Sequence, residues 1–427
     1  MNRIVLIGNG FDLAHGLPTR YQDFIDWYWE QRIRGLCTEF SPMSKDILLS
    51  LHFVGDGQNT WHSFMFQHSF MQGHDWREFY EAFHKLDALC EVYYSPLFKA
   101  ICRSIESKNW VDIENEYYDL LKQYIFNVQL TSEQKSALVR ELDEQLAFLQ
   151  QKLTEYLSSL SIDENTVNPA IHKNLFASIN AEEISVEWVK GCKKDTQLSR
   201  DVDVNDLTQK ALRYNYRKES LHNFVEGLTA LKNGNDKEAK DRLGDFEKSL
   251  LTLPDQILFL SFNYTSTIDL YCPQYDNYFK VNHIHGTLDN PESVIFGYGD
   301  ELDERYKEIK NQNNNVFLRN IKSIRYLESD NYRKMLQFID AAPFQIYIMG
   351  HSCGNSDRTL LNTLFEHKNC ISIKPFYYTW TEKDKDGNEQ VKDNYLEIIQ
   401  NISRNFTDMK KFRDRVVNKL YCKEITK

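Results

Sequence analysis

Ile4-Val5-Leu6-Ile7-Gly8-Asn9-Gly10-Phe11-Asp12 is the stretch that decides how this chain folds. A short apolar run rich in β-branched residues and ended by Gly-x-Gly has the profile of a buried strand entering a tight turn. Strands without polar alternation belong to parallel sheets covered on both faces. Gly8 and Gly10 let the backbone turn sharply and approach a neighbour closely, and the helix expected next would point its first free amides outward. A phosphate suits such a place. A plain tight turn explains Gly-x-Gly equally well, and the third glycine of the Rossmann fingerprint is missing from its position.

Working outward, the next strand-like runs come only much later, at Ile257 to Phe262, Tyr278 to Ile284, Ser293 to Tyr298, Gln345 to Met349 and Ile371 to Tyr378. Between about 45 and 250 the pattern is helical with almost no strand signal. Thr131-Ser132-Glu133-Gln134 reads as a capping box. Leu138, Leu142, Leu146, Leu149, Leu153, Leu157 and Leu160 then recur at steps of three and four, as expected for the core-facing stripe of a helix. Polar stretches at Ile162 to Asn174 and Lys232 to Asp241 are expected as loops, and Lys383 to Glu389 as a turn with Asp-Gly at its tip. The expected architecture is α/β: a parallel sheet with helices on both faces, built from residues 1–44 and 251–427, interrupted by an all-helical insertion over 45–250.

Composition narrows the function classes. At 427 residues, 41% hydrophobic and 13% aromatic, the chain has ample core-forming side chains, which excludes a disordered protein and suggests two to three domains. A net charge of -11 supplies no global field toward nucleic acid or anionic lipid, so nucleic acid is disfavoured as a partner, although a local basic groove stays open. The eight cysteines include no C-x-x-C pair, which argues against a zinc ribbon or a disulfide framework, so no metal is expected. The apolar run near Met1 is too short for a signal peptide or a membrane span. A cytoplasmic protein with no membrane association is expected.

Two further stretches carry polar residues at strand ends: Leu258-Phe259-Leu260-Ser261-Phe262-Asn263-Tyr264-Thr265, followed by Val281-Asn282-His283-Ile284-His285-Gly286-Thr287. Another strand, Ile346 to Met349, runs into Gly350-His351-Ser352-Cys353-Gly354-Asn355-Ser356-Asp357. Cys353 is taken as a small loop-filling side chain. The aromatic-rich region holding His62, His68, His74 and His84 has no metal-ligand spacing and is expected to be packing. Arg319, Lys322, Arg325, Arg333 and Lys334, interleaved with Tyr326 and Tyr332, could touch phosphate, but a solvated helix face is the favoured expectation.

The first stretch, with Gly16-Leu17-Pro18 beyond it, resembles the N-terminal loop of sirtuins, G-A-G-x-S-x-x-x-G-I-P. Gly8, Gly10, Gly16 and Pro18 match in register, while Asp12 stands where that family has Ser. Asn263 and the His285-Gly286 pair are similar to the residues that flank the nicotinamide ribose in sirtuin-like proteins, with Thr265 in place of the family's Asp. Gly350 and Ser352 resemble the late Gly-Thr-Ser loop on the adenosine side. Together these pieces also resemble the AbiH family of bacteriophage abortive-infection proteins, through IGNGFDLAHGLPT, FNYT, HIHG and GHS. Trp110 to Glu114 is similar to a W-x-D-x-E element of that family. Helical periodicity puts Asp112 and Glu114 on different faces, so at most one is expected in a cleft, and Asp112 is read as a solvated helix start.

The resemblance implies a dinucleotide ligand, NAD. Gly8, Asn9, Gly10, Phe11, Asp12, Gly350 and Ser352 would bind it, while Asn263 and His285 would be catalytic. Cleaving the nicotinamide-ribose bond passes through an oxocarbenium-like state, which calls for a group that orients water and a base titrating near neutrality. An amide and an imidazole meet that need. The expected activity is NAD glycohydrolysis in an antiphage response, with a phage-derived trigger as an expected partner and the insertion expected to form either a lid or a homo-oligomer contact. Two rivals stay open: a module that senses NAD without turnover, which Thr265 favours, and an effector directed at nucleic acid. A branched side chain at Gly10 is expected to block pyrophosphate binding.

Overall fold

The computed structural model describes residues 1–39, 43–53, 90–108, 112–162, 167–188, 218–243, 253–272, 278–298, 300–383 and 387–426. The histidine-containing stretch 54–89 and Trp110 lie outside the described residues.

The opening stretch forms strand β1 (Asn2–Ile7), buried along its whole length. Strands β2 (Met43–Lys45), β3 (Leu49–Phe53) and β4 (Cys90–Tyr94) pair antiparallel in a separate small sheet. They are followed by β5 (Ile257–Ser261), β6 (Phe279–His283), β7 (Phe344–Met349) and β8 (Cys370–Phe376). The main sheet has the order β6-β5-β1-β7-β8, and every pair in it is parallel. From β1 the chain winds outward to one edge, then returns to fill the other side. This doubly wound arrangement opens a crevice at the carboxyl end of β1, where the winding reverses.

Alternate residues of β1 feed two cores, as strand geometry demands. Ile4 and Leu6 pack in one layer with Met335, Phe338, Leu361 and Ile402, carried by the helices Asn331–Ala341, Arg358–Phe365 and Tyr395–Arg404. Val5 and Ile7 pack in the other with Phe11, Tyr271, Ile425 and, from the helix Pro169–Leu175, Ile171 and Leu175. Arg3, fully buried in the central strand, donates to the Leu175 carbonyl at 2.8 Å and to Gln345 Oε1 at 3.2 Å. A helix from within the long insertion thus covers one face of the sheet.

A third core joins the helix Tyr21–Glu39 to the helices Pro96–Lys108, Ile113–Ile125 and Ser132–Ser158. The capping box at Thr131 forms with both of its hydrogen bonds. Leu142, Leu146, Leu149, Leu153 and Leu157 are buried, so the leucine stripe faces a core. Replacing Leu146 or Leu149 by Asp is expected to destabilise the protein by several kcal/mol, because an unpaired charge would enter that core. A thermal melt unmoved by both substitutions would contradict the packing.

Four expectations are corrected. The insertion is helical in the main but also holds the antiparallel sheet β2-β3-β4, whose strands are too short for their alternation to stand out. Ser293 to Tyr298 is not a strand: a 3-10 turn, Pro291–Ser293, leads into a segment with one isolated bridge at Tyr298. Its apolar residues serve helix packing instead, with the Tyr298 ring stacked 3.9 Å from that of Tyr118. The stretch 162–174 contains the start of Pro169–Leu175, capped by Asn168. Most of 232–241 belongs to the helices Lys218–Lys232 and Asp236–Leu243. The Asp-Gly turn does join a hairpin, β9 (Thr379–Lys383) with β10 (Glu389–Asp393), although 384–386 lie outside the described residues.

Candidate functional site

The carboxyl ends of all five strands of the main sheet open into one cleft of about 640 Å³. Gly8 to Asp12 follow β1, Asn263 to Thr265 follow β5, His285 follows β6, and Gly350 to Asp357 follow β7. Tyr377 and Tyr378 follow β8. The insertion adds Asp112, Glu114, Leu153 and Leu157, and Lys322 comes from the short helix Lys322–Arg325. Of the residues expected at the site, Gly8, Asn9, Gly10, Asp12, Asn263, His285, Gly350 and Ser352 line this cleft. Phe11 instead packs into the sheet core.

The two glycine turns press against each other. The Gly10 N–H donates to the Gly350 carbonyl at 2.8 Å, and the Phe11 N–H to Gly8 O at 2.8 Å. A Cβ on Gly10 would stand 2.8 Å from Gly350 Cα, so a side chain there meets protein backbone before any ligand. The reason for glycine at position 10 is therefore first the closeness of two loops. Gly350 is more constrained still: its φ is +77°, and a Cβ would fall 2.1 Å from the Phe11 nitrogen. Gly350→Ala is expected to cost about 2–3 kcal/mol through left-handed strain and displacement of the Gly10 turn. Denaturant unfolding at unchanged m-value measures it.

Asn263 Nδ2 donates to the Gly8 carbonyl at 3.0 Å, tying the end of β5 to the first turn. Beside it, Thr265 Oγ1 donates to Asp12 Oδ2 at 2.7 Å. The two departures from the sirtuin pattern thus meet, with carboxyl and hydroxyl in exchanged positions. Burial pushes the Asp12 carboxyl up, against hydrogen bonds from Thr265, Thr267 and Asn263.

The charged centre is Asp357, which precedes the helix Arg358–Phe365 and is almost fully buried. Its Oδ1 accepts Lys322 Nζ at 2.8 Å and lies 3.3 Å from His285 Nε2; its Oδ2 lies 3.6 Å from His351 Nε2. Burial works to raise Asp357, but the Lys322 ammonium and His285 hold it well below the usual carboxylate range. Lys322 is 1% exposed and also donates to Glu114 Oε2 at 2.7 Å. Burial would lower the lysine, yet Asp357 and Glu114 keep it well above its ordinary value. His285 is lowered by burial and by Lys322, only partly offset by Asp357, so its imidazole is neutral near pH 7. Its Nε2 also stands 3.1 Å from the Tyr326 hydroxyl. The Cys353 N–H donates to His351 Nδ1 at 3.0 Å, leaving that ring's proton on Nε2, toward Asp357.

The sequence placed Lys322 on a solvated face, and this is corrected: Arg319, Arg333 and Lys334 are exposed, but Lys322 is buried among carboxylates. Asp112 and Glu114 both line the cleft. Asp112 is the cap of its helix, accepting the Asn115 N–H, so helical periodicity did not govern its direction. Asp357, Lys322 and Tyr326 went unmarked as site residues; the one signal for Asp357 was its place at a helix start after the glycine turn. Burial pushes the Cys353 thiol up, which fits a packing role.

A buried carboxylate holding two imidazoles and a lysine, at the reversal point of a doubly wound parallel sheet, defines an α/β protein with an acid–base cleft. The sequence comparison places it more narrowly. The family model for bacteriophage abortive infection AbiH matches residues 4–379, and the chain belongs to that family. No curated protein and no solved structure matches the chain. Among the described residues, no helix is long and apolar enough to cross a membrane.

Proposed function

We propose that this AbiH-family chain acts against phage by hydrolysing NAD at its nicotinamide-ribose bond. The observation that carries the reading is His285, neutral and backed by Asp357 in a cleft where a nucleotide crevice is expected. In the proposed step the bond from C1′ of the ribose to the pyridinium nitrogen breaks. Its electron pair goes to the nitrogen, and nicotinamide leaves neutral. Water then bonds to C1′ of the oxocarbenium ion and gives its proton to His285. Asp357, ionised beside Nε2, stabilises the imidazolium that forms, and ADP-ribose is the second product. Asn263 orients the water.

Incubating the purified protein with NAD and measuring free nicotinamide tests this, alongside the NAD pool of infected cells, since a defence enzyme can be silent until triggered. Activity should fall as pH drops through the lowered His285 midpoint, because the base must be unprotonated. A constant NAD pool in cells that remain protected would refute hydrolysis. One observation favours the rival reading of a sensor without turnover: the Asn263 amide already donates to Gly8, and the Gly10 N–H to Gly350. Calorimetric NAD binding with no nicotinamide release in cells or in vitro would select it.

A further inference from the structure

Glu114 belongs to the first turn of the helix Ile113–Ile125, far from the sheet in sequence, yet both of its oxygens are engaged at the cleft. Oε1 accepts the Gly297 N–H at 3.1 Å and Oε2 accepts Lys322 Nζ at 2.7 Å. The same ammonium donates to Asp357 Oδ1, the atom 3.3 Å from His285 Nε2. A continuous buried line therefore runs from Glu114 through Lys322 and Asp357 to His285, with none of the four side chains more than 10% exposed. Other charged or titratable groups facing Glu114 are Asp112 on its own turn, Tyr21 from Tyr21–Glu39, and Tyr264 beyond β5. Tyr326, one turn beyond Lys322, completes the set.

We propose that Glu114 is a positioning residue of this site, acting through Lys322 on Asp357 and through Asp357 on the orientation and charge of His285. The insertion is then part of the acid–base machinery and not only a wall of the cleft. A purely mechanical strut would need the contact but not the charge. Glu114 is suited to more than that: burial raises it, Lys322 opposes, Asp357 and Asp112 add to the rise, and it stands at about 7. Its charge accordingly changes close to neutrality, three contacts away from His285 along the line through Lys322 and Asp357.

Side-chain NMR of the histidines across pH tests the proposal without any ligand, so its outcome is separate from that of NAD hydrolysis. His285→Ala assigns the signal. In the wild type, the His285 resonance should move in two steps, its own protonation at lowered pH and a second step near pH 7 from Glu114. In Glu114→Gln, which keeps the shape, the second step should vanish, while the midpoint of the first should hold, because Glu114 is already protonated where His285 titrates. Glu114→Asp should restore a second step. His172, remote from this line, should titrate identically in all forms. A His285 curve unchanged by Glu114→Gln in a folded protein reduces Glu114 to a strut and overturns the proposal. Should that variant fail to fold, a single-step wild-type curve overturns it equally.

Discussion

Asp357→Ala is expected to lose about 3–5 kcal/mol of folding stability, the cost of stripping a buried cation of one partner. Lys322 would keep Glu114 alone, and both imidazoles would lose the carboxylate they face. Urea unfolding at pH 7 measures the loss. Asp357→Asn should cost less, since its amide oxygen still accepts from Lys322. The pH dependence follows from the direction of the shift: a carboxyl held below its unfolded value contributes stability above that value and loses it as pH falls through the folded one. The gap between wild type and Asp357→Asn should therefore narrow below about pH 4. A gap constant down to pH 3 would mean that the charge on Asp357 is not what stabilises the site.

His285→Ala is the second large effect. Under the proposed reaction, removing the base should lower nicotinamide release by about two to four orders of magnitude, the range for one positioned acid or base. NAD affinity should largely survive. Asn263→Ala should lose turnover over a similar range, with an added stability cost because its amide ties β5 to Gly8. His285→Ala also removes ring contacts to Phe262 and Tyr326, so its folding must be checked by circular dichroism first. Full turnover in a folded His285→Ala protein would take the base role away from this residue.

The parallel strands were legible because a strand buried on both faces needs an unbroken apolar run, and the turn that follows needs glycine or a small polar residue. Ser293 to Tyr298 has the same composition without the sheet, because burial against helices asks for the same side chains. The glycine turns, Asn263 and His285 were visible as strand-end residues. Lys322 was not: beside Arg319 and Arg325 it reads as surface. Its burial depends on Glu114 and Asp357, which lie 208 and 35 residues away. Asp112 was misplaced because periodicity applies inside a helix and not to its cap. The distances between charges that define the centre are tertiary facts with no local pattern.

The position of β1 at the middle of the sheet has a consequence for biosynthesis. Gly8 and Asn263, joined by a hydrogen bond across the cleft, are 255 residues apart in the chain. At the usual pace of a ribosome the partner strand follows the first by roughly 10 to 50 seconds. For that interval the apolar segment Ile4 to Ile7 has no sheet to enter, and the β1 turn has no Gly350 to rest on. A nascent or prematurely terminated polypeptide lacking β7 cannot assemble the charged centre around Asp357. Under the proposed reaction, the host's own NAD is thus shielded from every copy that ends before β7.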